Sequence, residues 1–358
     1  MPLFAALLLL SRLLCDCIAQ PDGPGTAGVE TRTFDEMYEA AKKEGGVVTV
    51  WHGGDEPAQR NGLKEAFESR FPGIKVNITV DVSKYLDGRV DEQLAARAVY
   101  VDNIILQTLH DFPRWEKQGA LLNYAPLGFE QIYPEFKASS AAWYGIGVFS
   151  WMNVLGTNKL PNRTFTTFEE LTHPGYKDKI VLTWPNDDDA VLFTFHLILE
   201  KLGKGWFDRL LQNNPRWVRG TETPLTMIIQ ANDSVAASFT TAPGFDAIPG
   251  IQFGFCTDAN FTSWPQTGAI LKDAPHPESA KLFHSFMLTP EYQKVIGWSV
   301  RKDVPPPTGF PNIFDVPNTD PTAFGLWMAD RPNVERTRLR FEDMLGTPQG
   351  PSPLFDGQ

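Results

Sequence analysis

From Thr33 to Gly119 the chain alternates short β-branched runs with longer amphipathic ones, and no other feature constrains the fold as strongly. Thr33 and Glu36 carry the capping-box pattern that opens a helix running through Lys43, and Gly45-Gly46 ends it. Val47-Val48-Thr49-Val50-Trp51 is a strand. Ala58 to Arg70 puts Leu63, Ala66 and Phe67 on one helical face, and Pro72-Gly73 turns into a strand from Ile74 to Val80. A helix from Asp87 to Val99, a strand from Asn103 to Leu106 and a helix to Gln118 complete the run. Strands separated by helices pair in parallel through right-handed crossovers. Such sheets take ligands outside the carboxyl ends of their strands. Three segments are therefore expected on one rim: Trp51-His52-Gly53-Gly54, Ser83-Lys84-Tyr85 and Gln107-Thr108-Leu109.

The second half is less regular. Gly145 to Leu155 reads as an extended crossing segment, Phe165 to Leu171 as a capped helix, and Lys179 to Thr183 as a strand. Trp184-Pro185-Asn186-Asp187-Asp188-Asp189 leads into a helix from Ala190 to Leu202, closed by Gly203. Pro224 to Ala231 is another helix, and Ser234 to Phe239 another strand. Ala269-Ile270-Leu271 is a short buried strand. After the Pro275-His276-Pro277 turn, a helix places Ala280, Phe283, Phe286 and Met287 on one face. Thr289 caps a following helix with Pro290 at its first position. A proline-rich stretch begins at Pro305 and holds one helix, from Asn333 to Leu345.

The net charge of −11 argues against nucleic acid as a partner, because phosphate backbones select basic surfaces. Phe4 to Leu10 and the small-residue site Cys17-Ile18-Ala19 read as a secretory signal. No later run is long and apolar enough to span a bilayer, so no membrane anchor is expected. Cys15 and Cys17 fall in the signal, which leaves Cys256 alone as a small buried hydrophobe and rules out an internal disulfide after cleavage. Asn77, Asn162, Asn232 and Asn260 sit in N-glycosylation acceptor triplets, which with the signal fits eukaryotic secretion. Asn77 alternates with Ile74, Val76, Ile78 and Val80, so it is expected to face outward.

Several segments, in order, carry a family resemblance. VVTVWHGGDEPAQRNGLKEAFESRFPGIKV, VDNIILQTLHDFPRWEKQGALLNY, VFSWMNVLGTNKLP, FEELTHPGYKDKIVLTWPN and GAILKDAPHPESAKLFHSFMLTPEYQ together resemble the type II extracellular solute-binding proteins, on the iron(III)- and thiamine-binding side of that family. The resemblance implies an α/β fold with two lobes, a hinge and an interlobe cleft, which closes on a small-molecule ligand. The expected division is a signal over 1–19, a disordered leader over 20–32, a first lobe from 33–145 and 262–345, a second lobe over 150–255, and a flexible tail over 346–358. A monomer without cofactor or resident metal is expected.

Ferric-iron binders of the family use adjacent tyrosines after a second-lobe strand. The matching positions here are Ser238-Phe239-Thr240-Thr241, a poor donor set for hard iron, although His52 falls where such proteins often place a histidine ligand. The candidate ligand-binding residues are Trp51, His52, Ser83, Tyr85, Gln107, Trp184, Asn186, Asp187, Ser238, Thr240 and Trp264. Asp55 and Glu56 read as first-turn residues favoured by the following helix's dipole. Three consecutive aspartates at Asp187 to Asp189 would repel an anion, so an aromatic-lined, acidic cleft for an organic cation is expected, thiamine-like or polyamine-like. Iron held by other ligands, a secreted hydrolase and an interaction protein that has lost its ligand are the alternatives. The chain has neither a Gly-x-Ser-x-Gly elbow nor a His-Glu-x-x-His helix, so it is not expected to be an enzyme.

Overall fold

The computed structural model describes residues 28–350 and Leu354. The expected signal lies outside the described residues, as do most of the leader and the end of the tail.

Capping begins the fold where the sequence places it. Thr33 Oγ1 accepts the Glu36 amide at 3.3 Å and Glu36 Oε2 accepts the Thr33 amide at 2.8 Å. Ahead of that helix, strand β1 (Gly28–Val29) precedes α1 (Phe34–Glu44). The first lobe continues with β2 (Val47–Gly53), α2 (Asn61–Arg70), β3 (Lys75–Asp81), α3 (Ser83–Ala96), β4 (Asn103–Leu106), α4 (Asp111–Lys117) and β5 (Tyr124–Ala125). The chain leaves along β6 (Tyr144–Ser150) and enters the second lobe on β7 (Met152–Gly156). There follow β8 (Val181–Thr183), α5 (Asp189–Leu202), α6 (Lys204–Gln212), β9 (Arg216–Val218), α7 (Thr223–Ile229), β10 (Ala237–Thr241) and β11 (Ile251–Gly254). It returns on β12 (Ser263–Ile270), α8 (Pro277–Met287) and α9 (Pro290–Gln293), and ends with α10 (Ala323–Ala329) and α11 (Arg331–Leu345).

The first sheet has the order β3-β2-β4-β12-β6. β2 pairs in parallel with β3 and β4, and β12 runs antiparallel to β4 and β6. Strand alternation divides its side chains between two cores. Val48, Val50 and Ile105 face Phe67, Phe283 and Phe286, whereas Trp51, Ile104 and Leu106 face Leu86, Val90, Phe112 and Trp115. The second lobe has the antiparallel sheet β10-β7-β11 and the parallel pair β8-β9, joined by a bridge from Ile180 to Ala237. The two crossing segments meet where the Trp151 amide donates to Thr262 O at 3.0 Å.

The segment from Gly268 to Gln293 builds strand and helices as expected, although its strand begins earlier, at Ser263. Its turn is anchored by Asp102, a fully buried carboxylate after α3. Asp102 accepts the His276 amide at 2.7 Å, the Thr49 amide at 2.7 Å and a 3.2 Å contact from His276 Nδ1.

Other boundaries move for physical reasons. α3 starts at Ser83 rather than Asp87, because Ser83, Leu86, Val90 and Gln93 form one buried face. α2 starts at Asn61, since the preceding residues turn back and the Asp55 amide donates to Gln59 Oε1 at 3.0 Å. The helix expected over Phe165 to Leu171 shrinks to one 3₁₀ turn, Glu169–Thr172. Glu170 takes the Thr166 and Thr167 amides and Asp258 those of Phe168 and Glu169, so side chains satisfy the donors that a helix end leaves free.

Three expectations about the division of the chain meet different contacts. Residues 28–32 are not a loose leader: β1 pairs with β5, and Glu30 accepts Tyr124 Oη at 2.7 Å and Arg32 Nη2 at 2.7 Å. α11 packs on the second lobe rather than the first, because its buried Phe341 meets Phe195 and Phe207 at ring distances of 5.5 and 5.6 Å. Arg338 also pairs with Asp189 at the head of α5. The tail is held as far as Gln349: Asn186 Nδ2 donates to Gly346 O at 3.0 Å and Trp184 Nε1 to Gln349 O at 3.1 Å. We refer to residues 331–350 as the C-terminal arm.

Candidate functional site

A cavity of about 450 Å³ lies between the lobes. The turn after β2 supplies Gly53, Asp55, Glu56, Gln59 and Arg60; the ends of neighbouring elements add Ser83, Gln107, Trp264 and Gln266. The second lobe adds Asp187 and Asp188 before α5, and Gly220, Thr221 and Glu222 before α7. Phe149 and Trp151, at the crossing, make an aromatic wall with Trp264. Trp151 meets Trp264 edge-on at 4.8 Å and Phe149 stacks on it at 5.9 Å. Trp264 Nε1 donates to Gln266 Oε1 at 3.0 Å, whereas the buried Trp151 Nε1 has no acceptor.

Gly53 sets the depth of this site. A Cβ there would collide with Ser83 Oγ and lie 3.2 Å from Gln266 Nε2, so only glycine lets β2 reach the rim. Ser83 Oγ in turn accepts the Gln107 amide at 3.0 Å, tying α3 to the end of β4.

Three polar links cross the cleft. Asp55 Oδ2 accepts the amides of Thr221 and Glu222, the latter at 2.8 Å. Lys84 Nζ donates to Asp187 O and Oδ1, both at 2.7 Å. Arg219 donates from Nε to Asp187 Oδ2 and from Nη2 to Tyr85 Oη, both at 2.9 Å. The lobes are thus drawn together around the cavity.

The enclosed charges divide unevenly. Burial pushes the Glu222 carboxyl up to about 7, and neighbouring Asp55 and Glu56 push the same way. Burial also raises Asp188 to about 7 although it caps α5, accepting the Val191 amide at 2.9 Å. Burial raises Asp55 too, against the two amides it accepts. Asp187 goes the other way: burial alone would raise it, but Arg219 and Lys84 hold it below the usual range. Among the described residues Arg60 is the only lysine or arginine lining the cavity. Burial lowers its pKa, and burial together with Arg60 keeps His52 neutral. Asp55 Oδ1 is a further buried acceptor with no donor.

Of the residues expected from sequence, Ser83, Gln107, Asp187 and Trp264 line the cavity. Tyr85 stands at its edge on Arg219. His52 is buried behind Arg60, whose Nε lies 3.2 Å from His52 Nδ1. Trp51 lies elsewhere: one residue after Val50, it enters the opposite core and packs edge-on to Tyr100 at 5.5 Å. Trp184 packs at a tilt against Trp217 and donates to the arm, and Asn186 is turned to the arm as well. Ser238 and Thr240 are buried in β10, where Thr240 Oγ1 accepts the Thr183 amide at 2.9 Å. Asp55 and Glu56, expected to serve the next helix, precede it and line the cavity. Sequence reasoning missed Gln59, Arg60, Phe149, Trp151, Glu222 and Gln266. The aromatics flanking Ser150 at the crossing were the available signal.

Asn77, Asn162, Asn232 and Asn260 are all exposed, and Cys256 is buried. Among the described residues no helix is long and apolar enough to cross a membrane, and no group of three or more His, Cys, Asp or Glu side chains is placed to hold a metal ion.

Two α/β lobes linked by paired crossings, with a polar and aromatic cavity between them, define a type II solute-binding protein. The family model for bacterial extracellular solute-binding proteins matches residues 48–297, and the chain belongs to that family. No curated protein matches it in sequence. Iron-bound HitA from Pseudomonas aeruginosa has a similar fold, with a TM-score of 0.59 at 15% identity over 82% of this chain and 99% of that one. AfuA from Actinobacillus pleuropneumoniae, with exogenous fructose-6-phosphate bound, gives 0.61 at 16% over 83% and 98%. A putative spermidine/putrescine ABC transporter protein from Listeria monocytogenes gives 0.55 at 16% over 83% and 99%. At such identities the likeness speaks to the fold alone.

Proposed function

We propose that this chain is a secreted solute-binding protein that closes its lobes on a small organic cation. The observation that carries this reading is the charge imbalance inside the cavity. Asp55, Glu56, Asp188 and Glu222 line it together with the already paired Asp187, against a single arginine among the described residues. Burial raises Asp55, Asp188 and Glu222, so each would gain from a positive charge brought among them. The faces of Phe149, Trp151 and Trp264 suit an ammonium or cationic ring. The volume fits a small molecule and leaves no room for a folded partner.

The neighbours' cargoes, iron, a sugar phosphate and polyamines, bracket the possibilities. Iron finds little support here. At the positions where iron binders of the family carry tyrosines, Phe239 fills the second lobe's aromatic core and Thr240 is spent on Thr183. A bare phosphate would face five carboxylates, of which Asp187 is paired with Lys84 and Arg219.

Thermal-shift and calorimetric titrations with spermidine, putrescine and thiamine, set against ferric citrate and fructose-6-phosphate, test the reading. An amine at 100 times its Kd should stabilise the protein by about 2.7 kcal/mol through mass action. Stabilisation by iron or the sugar phosphate, with none by any amine, would sink it.

A further inference from the structure

Arg60 is anomalous among the charged groups of the cleft. Lys84 and Arg219 both have an acid partner in Asp187. Arg60 has none: among the described residues no carboxylate lies within 4.0 Å of its guanidinium, and its one polar contact puts Nε 3.2 Å from Nδ1 of the neutral His52, a nitrogen that also lies 2.7 Å from Gly53 O. Its Cζ sits 5.5 Å from the centre of the Phe149 ring, which holds the plane of the guanidinium without neutralising it. Taking a guanidinium out of water without a directly paired carboxylate is costly: burial lowers its pKa, and the more distant Tyr292, Asp55 and Glu222 offset that only in part. A second donor in the same cavity is also unpartnered, since Trp151 Nε1 is buried and has no acceptor. Among the neighbouring acids the deficit is reversed: Asp55 Oδ1 lacks a donor, and among the described residues no protein hydrogen bond reaches the Glu222 carboxyl.

We infer that the ligand is dipolar, carrying an anionic carboxylate-type group that docks on Arg60 beside its ammonium group, which docks on the Asp55–Glu222 side. This rests on the cation reading and narrows it to one substrate class: an amine that also bears an acid. Arg60 thereby becomes the specificity-determining residue. A planar guanidinium with both terminal nitrogens free can grip a carboxylate in two parallel hydrogen bonds. An unsubstituted diamine would leave that guanidinium unpaired and add a positive charge beside it.

Matched pairs that differ only by a carboxylate provide the test. Calorimetry is run with putrescine against ornithine, cadaverine against lysine, and agmatine against arginine, on the intact protein and on Arg60→Gln. The carboxylate-bearing member of a pair should bind at least about tenfold more tightly to the intact protein. Arg60→Gln should erase that preference, bringing the two members of each pair to within about twofold. It should also melt no lower than the parent without added ligand, because it removes a half-buried guanidinium that has no paired carboxylate. Arg60→Lys, which keeps the charge but loses the fork, should restore the preference only in part. Equal or tighter binding of the bare amines, unaffected by Arg60→Gln, would overturn the inference and leave the cation reading standing. Capture of only amine-free acids or phosphates would overturn both.

Discussion

The two lobes meet the cleft in different ways. The first brings its residues there on the ends of one continuous five-stranded sheet, locked by contacts such as Ser83 to Gln107. The second has its strands split between two small sheets joined at one bridge, and it presents its residues on loops. Its loop from Trp184 to Asp189 is steadied from outside, by the arm on Trp184 and Asn186 and by Arg338 on Asp189. Rigid sheet ends position a site by themselves, whereas loops need a brace. The brace here lies more than 140 residues downstream of the loop it holds.

Paired core truncations should separate the lobes most sharply. Phe67→Ala in the first lobe and Phe341→Ala in the arm should each cost about 3–5 kcal/mol, since both rings are fully buried among aromatics. Only Phe341→Ala should also raise proteolytic cleavage within residues 331–350 and weaken ligand binding. Equal loss of binding in both variants would refute the brace. Next in size is Asp102→Ala, which strands the Thr49 and His276 amides at about 1–3 kcal/mol each in chemical denaturation. It should leave the affinity of the folded protein intact, because Asp102 tethers the return segment and lies away from the cavity. Asn186→Ala should cost only about 1 kcal/mol. Its larger signature should be faster hydrogen exchange across the loop from Trp184 to Asp189, and unchanged protection there would argue that the arm is a passenger.

The gentlest effect is on pH. Glu222 and Asp188 titrate near 7 when folded, against 4.5 and 3.8 ordinarily, so the folded state keeps protons that the unfolded state releases. Their contribution to stability is therefore present at acid pH and declines as pH rises from about 4 through 7. Without added ligand the melting temperature of Glu222→Gln should fall less than that of the parent over this range. A cationic ligand should bind more tightly as pH rises through 7, because it pairs with the ionised carboxylates. Ligand affinity that falls over that interval would contradict the assignment.

How far the sequence revealed all this follows the same division. In the first lobe, hydrophobic periodicity and capping residues located the strands and most helices, because those signals are local. Gly53, Ser83 and Gln107 reached the rim as the topology requires. Trp51 did not, because the choice between the two faces of a strand turns on one residue of register. Beyond the crossing, long-range partners decide the outcome. Trp184 and Asn186 look like cleft residues until a segment some 160 positions away takes their hydrogen bonds. Arg60 is hidden for a related reason: its spacing belongs to an amphipathic helix that starts one residue later. That it lacks a carboxylate partner is visible only once every neighbouring group has been placed.

The contact between Trp184 and Gln349 also has a temporal meaning. Chains fold as they are synthesised, amino end first, so the first lobe's three parallel strands exist long before the arm does. The wall that carries Asp187 and Asp188 cannot reach its final form until Gln349 has left the ribosome. A nascent chain stalled short of that point would have its return strand β12 and its whole first sheet, yet would hold the cleft with one unfinished jaw.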